Sequence, residues 1–198
     1  MATTHSAPER VLVIDNDAAR SALLEQALRD QGYNVICRLE NTAGLINKVE
    51  QIKPDIIIIE LDSPSQDILE HMATLNSHIP RPVVMFAEEG DTETIQQAIK
   101  AGVSAYIVNG MSADRIQSIM SAAAARFREF QALKNELNEM RVQLADRKLI
   151  EQAKGLVMKH QKCSEEQAFS AMRKMAMDKG QSLGAVAKNI ISVLELLD

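Results

Sequence analysis

"DIIIIELDSP", residues 55–64, decides the fold. Four consecutive isoleucines with no polar alternation describe a strand buried on both faces, the signature of a parallel sheet covered by helices. The run then delivers Glu60 and Asp62 ahead of a turn at Pro64. In open α/β sheets, ligands and switches sit at these C-terminal strand ends. A carboxylate at the end of a buried strand is therefore a candidate functional group.

Outward from this stretch the pattern repeats. "VLVI" at 11–14, "YNVIC" at 33–37, "PVVMF" at 82–86 and "AYIV" at 105–108 are further short apolar runs. Helical spacing separates them: Ala19, Leu23, Leu24, Ala27 and Leu28, closed by Gly32; then Leu45 to Ile52, Ile68 to Leu75, and Ile95, Ala98 and Ile99. Five strands alternating with helices predict an α/β fold with a doubly wound, five-stranded parallel sheet. Asp15, Glu60, Phe86 and Asn109 end or closely follow strands one, three, four and five.

From about Ser112 to about His160 the pattern is helical, and no proline follows Pro82. Leu133, Leu137, Met140 and Leu144 step by four, three and four, a heptad seam. Met120, Ala123, Phe127 and Phe130 keep similar spacing upstream. An apolar stripe on a long helix needs a partner. The expectation is a parallel homodimer with a seam of Phe127, Phe130, Leu133, Leu137, Met140 and Leu144. Beyond it, Ser164 and Gln167 form a capping box, and Ala168, Met172, Met175 and Ala176 form a stripe that Gly180 ends. Phe169 beside them is expected in the core. Ser182 caps a last helix whose Leu183, Val186, Ala187, Ile190, Val193, Leu194 and Leu197 nearly all read as core. The organisation expected is a flexible tail at 1–8, a first domain at 9–125, a coiled-coil linker at 126–146 and a small three-helix unit at 147–198.

Charge and composition narrow the function classes. The chain has a net charge of −5. Residues 1–146 hold 13 Lys/Arg against 21 Asp/Glu, a balance of −8, while residues 147–198 hold 9 against 6, a balance of +3. The two parts therefore suit different partners, and the basic tail permits a polyanion. Aromatic residues are 3% of the chain with no Trp, which argues against an aromatic base-stacking platform. Cys37 and Cys163 are too far apart in sequence for a CxxC motif. The polar N-terminus and the lack of an apolar run of about 18 residues predict a cytoplasmic protein without a membrane span. His71, His78 and His160 lack catalytic partners at useful spacing, so an enzyme is not expected, nor is a cofactor.

The stretches "VLVIDND", "PDIIIIELDSP", "PVVMFAEE" and "AGVSAYIVNG" resemble the receiver domain of two-component response regulators over about residues 9–125. That resemblance implies a phosphorylation site built from two acids after strand one, an Asp after strand three, a hydroxyl after strand four and a Lys after strand five. Phosphoryl transfer needs a metal and a cation to neutralise developing charge. Asp15 matches the first acid, but Asn16 stands at the second, Glu60 at the nucleophile, Phe86 at the hydroxyl and Asn109 at the Lys. Asp62 shares parity with Glu60 but falls in the turn. Asp15, Asp17 and Glu60 are left either as a weak Mg²⁺ site or as a solvated acidic rim. The reading is a pseudo-receiver that no phosphodonor controls.

The stretches "RKLIEQAKGLVM", "SEEQAFSAMRKMAM" and "SLGAVAKNII" resemble the ANTAR domain, the RNA-binding output of antitermination regulators, over about residues 140–198. The combination looks most like the nitrate-responsive NasT-type regulators and their amidase counterpart AmiR. The resemblance implies binding to tandem hairpins of a leader mRNA under control of an inhibitory, nitrate-sensing, NasS-like partner. On the residues themselves, Arg147, Lys148, Glu151, Lys154, Gly155 and Lys159 can share one broad helix face, and Arg173 and Lys174 project from the next helix. Gly155 costs about 1 kcal/mol relative to Ala inside a helix, which implies close approach of a neighbouring helix or of a nucleic acid. The alternatives are a DNA-binding response regulator with a helix-turn-helix output and a protein-interaction switch. The last helix offers only Lys188 and Asn189 as polar readers along most of its length, which is sparse for a recognition helix.

Overall fold

The computed structural model describes residues 8–109 and 113–194 of the 198-residue chain. All but the last residue of the expected 1–8 tail, and Leu197, lie outside the described residues. The chain divides into two compact units, residues 1–130 and 131–198.

The first unit is a five-stranded parallel sheet of β1 (Arg10–Asp15), β2 (Asn34–Leu39), β3 (Ile56–Leu61), β4 (Val83–Ala87) and β5 (Ala105–Val108), ordered β2-β1-β3-β4-β5. Helices α1 (Ala18–Asp30), α2 (Leu45–Ile52), α3 (Gln66–His78) and α4 (Thr92–Lys100) connect the strands, and α5 (Ile116–Gln161) follows. All six residues of β3 are buried, as the isoleucine run requires. Alternate side chains divide between two cores. Ile57 and Ile59 join the side that holds Leu69, Met72 and Leu75 of α3. Ile56 and Ile58 join Leu24 and Leu28 of α1 and Ile116, Met120 and Ala123 of α5.

Strand two differs from its expected span of 33–37. Gly32 adopts φ 85°, and the Tyr33 N–H donates to the Leu28 carbonyl at 3.0 Å. Tyr33 thus completes the end of α1, and the strand begins at Asn34. Helix α5 runs without a break through the expected boundaries at 125/126 and 146/147.

In the second unit, the C-terminal part of α5 packs with α6 (Glu165–Lys179) and α7 (Leu183–Leu194). Ala153, Val157, Ala168, Met172, Ala187 and Ile191 form the core. The capping box of Ser164 and Gln167 is closed in both directions, and Gly180 ends α6 at φ 59°. The Ala185 N–H donates to Ser182 Oγ at 3.2 Å, the expected cap of α7. Two core expectations are corrected: Phe169 is 41% exposed and Val193 is 58% exposed. Both lie beside the apolar stripes of α6 and α7, whose inner positions are filled by Ala168, Met172, Ala187 and Ile191.

Candidate functional site

Strand register assembles the first site. Asp15 pairs with Glu60 and Glu60 with Phe86, so the three stand in a row on the face covered by α1 and α5. Asp15 and Glu60 are both buried, although they are carboxylates. Phe86 is fully buried in the apolar core, which explains why an aromatic ring holds that position. Asn109 adopts φ 67°, a left-handed conformation that Asn tolerates better than most residues.

The residue that organises this row is Arg20, which sequence reasoning missed. Its Nη2 donates to Asp15 Oδ1 at 3.0 Å and to Asn16 Oδ1 at 3.2 Å. Its Nε reaches Asp15 Oδ1 at 3.3 Å, and its Nη1 reaches Asp62 Oδ1 at 3.1 Å. Glu60 and Glu88 lie at 4.0 and 3.9 Å from the guanidinium. The hydrogen bond to Asp15 raises the Arg20 pKa further above its ordinary value. One signal was available in the sequence. Asp17 caps α1, so Arg20 is the third helical residue, where a cation opposes the helix dipole and needs a compensating reason.

A divalent ion does not fit the residues present. The Asp17 side chain accepts the N–H groups of Ala19 at 2.8 Å and Arg20 at 3.0 Å, and these bonds hold its pKa below the usual carboxylate range. Asp15 Oδ1 also accepts the Asp17 N–H at 2.9 Å. Among the described residues no group of three or more His, Cys, Asp or Glu is arranged to hold a metal. Of the three acids considered for a weak Mg²⁺ site, Asp15 is paired with Arg20, Asp17 is committed to the helix cap, and Glu60 lies 4.0 Å from the same guanidinium. Glu60 is the least compensated member. Burial first, and the neighbouring Asp15 second, push its pKa up to about 7 against the pull of Arg20.

The second site is the outer face of α5. Advancing about 100° per residue, the helix turns Ala153 and Val157 inward and places Gly155 on the opposite side. Arg147, Lys148, Glu151 and Lys159 are exposed around it. A Cβ at Gly155 would meet nothing within 4 Å. No neighbouring helix in the described residues explains this glycine, and the surface over it is open to another molecule. Lys154 is different. Its ammonium is bonded at 2.7 Å to both Glu151 and Glu165, with its side chain only 12% exposed. It joins α5 to the first turn of α6. These pairs raise the Lys154 pKa and lower that of Glu165. Arg173 and Lys174 are exposed on α6.

The expected seam differs from the stripe upstream of it. Met120 and Ala123 are fully buried in the first unit, and Phe127 is half-buried. Phe130, Leu133, Leu137, Met140 and Leu144 are each between 49% and 57% exposed. None of the described helices is long and apolar enough to cross a membrane.

Comparison with known proteins agrees with this division. The model of the response regulator receiver domain matches residues 11–121, more than half of the chain, and that of the ANTAR domain matches residues 138–191. The transcriptional regulatory protein PdtaR of Mycobacterium tuberculosis is 28% identical over 187 residues, covering 94% of this chain and 91% of that protein. The nitrate regulatory protein of Klebsiella oxytoca is 44% identical over 68 residues, covering 34% of this chain and 17% of that protein. Among solved structures, the signal receiver domain of a modulated diguanylate cyclase from Desulfovibrio desulfuricans superposes with a TM-score of 0.54 at 21% identity, covering 61% of this chain and 97% of that one. The chain belongs to the response regulator receiver family and carries an ANTAR domain behind its receiver.

Proposed function

We propose that this chain is a cytoplasmic, RNA-binding transcription antiterminator. The ANTAR unit binds hairpin loops in a leader mRNA and stabilises a structure that excludes the terminator. The observation that carries this reading is the outer face of α5, where Arg147, Lys148 and Lys159 surround an uncovered Gly155 inside the ANTAR match. Exposed Arg side chains can stack on and hydrogen-bond to bases splayed out of a loop. Backbone phosphates can approach closely where a helix lacks a side chain.

The exposed seam from Phe130 to Leu144 supports a homodimer that presents two ANTAR units. Two linked hairpins would then be bound with an avidity that neither provides alone. A receiver with Glu60, Phe86 and Asn109 at the reactive positions lacks the groups for phosphoryl transfer. Control is assigned instead to a partner protein, a NasS-like inhibitor that responds to nitrate. The likeness to the Klebsiella nitrate regulatory protein supports nitrate or nitrite assimilation as the target.

Single-round transcription of a template with a two-hairpin leader and terminator tests the output. The chain should raise read-through, and deletion of the hairpins should abolish the effect. Unchanged read-through with bound RNA would rule out antitermination.

A further inference from the structure

We propose that Arg20 is the resident cation of the receiver, a fixed guanidinium standing where a working receiver of this fold would need a divalent ion. Three observations carry this. Arg20 bonds directly to Asp15 and Asp62, acids at the ends of β1 and β3, and lies within 4.0 Å of Glu60 and Glu88. The neighbouring Asp17 carboxylate is turned away to cap α1. The arginine also sits in the first turn of a helix, where a positive charge is opposed by the helix dipole, so the acids must hold it there.

The chemistry explains the exchange. Mg²⁺ demands an octahedron of oxygens at about 2.1 Å. Arg20 Nη2 and Nε both bond to Asp15 Oδ1, filling that oxygen's approach from the α1 side. A second cation among these acids would also lie within a few ångströms of a guanidinium that does not deprotonate in proteins. A planar fork of five donors bridges several carboxylates at once. Asp15 and Asp62 are thereby paired at every Mg²⁺ concentration, although Asp15 Oδ2 and Glu60 Oε2 remain buried without a hydrogen-bond partner, and the cluster responds neither to the ion nor to phosphodonors that depend on it. This inference is independent of the RNA reading, because nucleic-acid binding is measured on the other unit.

Mn²⁺, as a paramagnetic probe, tests the proposal on the full-length chain. Free Mn²⁺ is followed by electron paramagnetic resonance in wild type, Arg20→Gln and Arg20→Gln/Asp15→Asn. Wild type should bind Mn²⁺ at this site only weakly. Arg20→Gln should gain affinity by at least about tenfold, the lower end of what removing a nearby like charge provides. Adding Asp15→Asn should abolish the gain. Equal binding by wild type and Arg20→Gln, or a folded Arg20→Gln with no gain, would overturn the proposal. A second measurement covers a variant that does not fold. The wild-type Tm should be the same in MgCl₂ and in NaCl of equal ionic strength, and a Mg²⁺-specific rise would overturn the assignment.

Discussion

Arg20 Nη2 lies 3.0 Å from Asp15 Oδ1, joining the first turn of α1 to the end of β1. Asp15 has no exposed side-chain surface, whereas Arg20 retains 22%. Removing the cation would leave Asp15 and Glu60 buried together without compensation. Arg20→Ala should therefore destabilise the receiver by about 2–4 kcal/mol, less than a fully buried pair would lose because Arg20 is partly solvated. Asp62→Asn removes an exposed partner and should cost at most about 1 kcal/mol. Urea unfolding of both variants at neutral pH separates these outcomes.

Glu60 should make stability fall as pH rises. Its folded-state pKa is raised from 4.5 to about 7, so between these values the folded state holds more protons than the unfolded state. The penalty is absent below pH 4.5, grows through this window, and is complete above pH 7. It amounts to about 3 kcal/mol. Glu60→Gln should match wild type near pH 4.5 and exceed it by that amount at pH 8. Equal stabilities at both pH values would show that Glu60 ionises without penalty.

The fold was legible because "DIIIIE" and its companion runs announce strands that are apolar on both sides. The capping box at Ser164 and the glycine at 180 marked α6 with equal clarity. The strand-end site was legible only as a set of departures from the receiver pattern. What organises it could not be read from spacing, because Arg20 meets Asp62 and Glu88 through tertiary proximity across 42 and 68 positions in the chain. Lys154 was misleading for a related reason. On a helical projection it belongs to the basic face, but its partner Glu165 comes from the next helix. Phe169 shows the limit of hydrophobicity alone, since the small residues beside it fill the core first.

Arg147 and Lys154 should separate binding from structure. Arg147 makes no ion pair among the described residues, so Arg147→Gln should leave Tm unchanged and reduce the salt slope of RNA binding by about one. Lys154→Gln releases two carboxylates and should lower the Tm of the C-terminal unit. Charge reversal at Lys154 would place three acids together and should unfold that unit. Thermal denaturation alongside RNA titration at several salt concentrations checks both.

A side chain at Gly184 should require the Asp146 carboxylate to turn away. A Cβ there would come within 2.5 Å of the Asp146 carboxyl carbon and Oδ1. Gly184→Ala should cost at most about 1 kcal/mol, because the displaced Asp146 carboxylate can rotate and Ala favours the helix. Combining it with Asp146→Ala should recover most of the loss, because the obstructing carboxylate is gone. A double-mutant cycle in urea measures this coupling.

The most direct test of the central claim is a binding competition with the full-length chain at fixed salt. A labelled two-hairpin leader RNA is challenged with the same RNA unlabelled, with a loop-substituted form, and with duplex DNA of the same sequence. The native hairpins should displace it and the loop variant and the duplex should do so little, with affinity falling as salt rises. Displacement by duplex DNA as effective as that by the hairpins would contradict it.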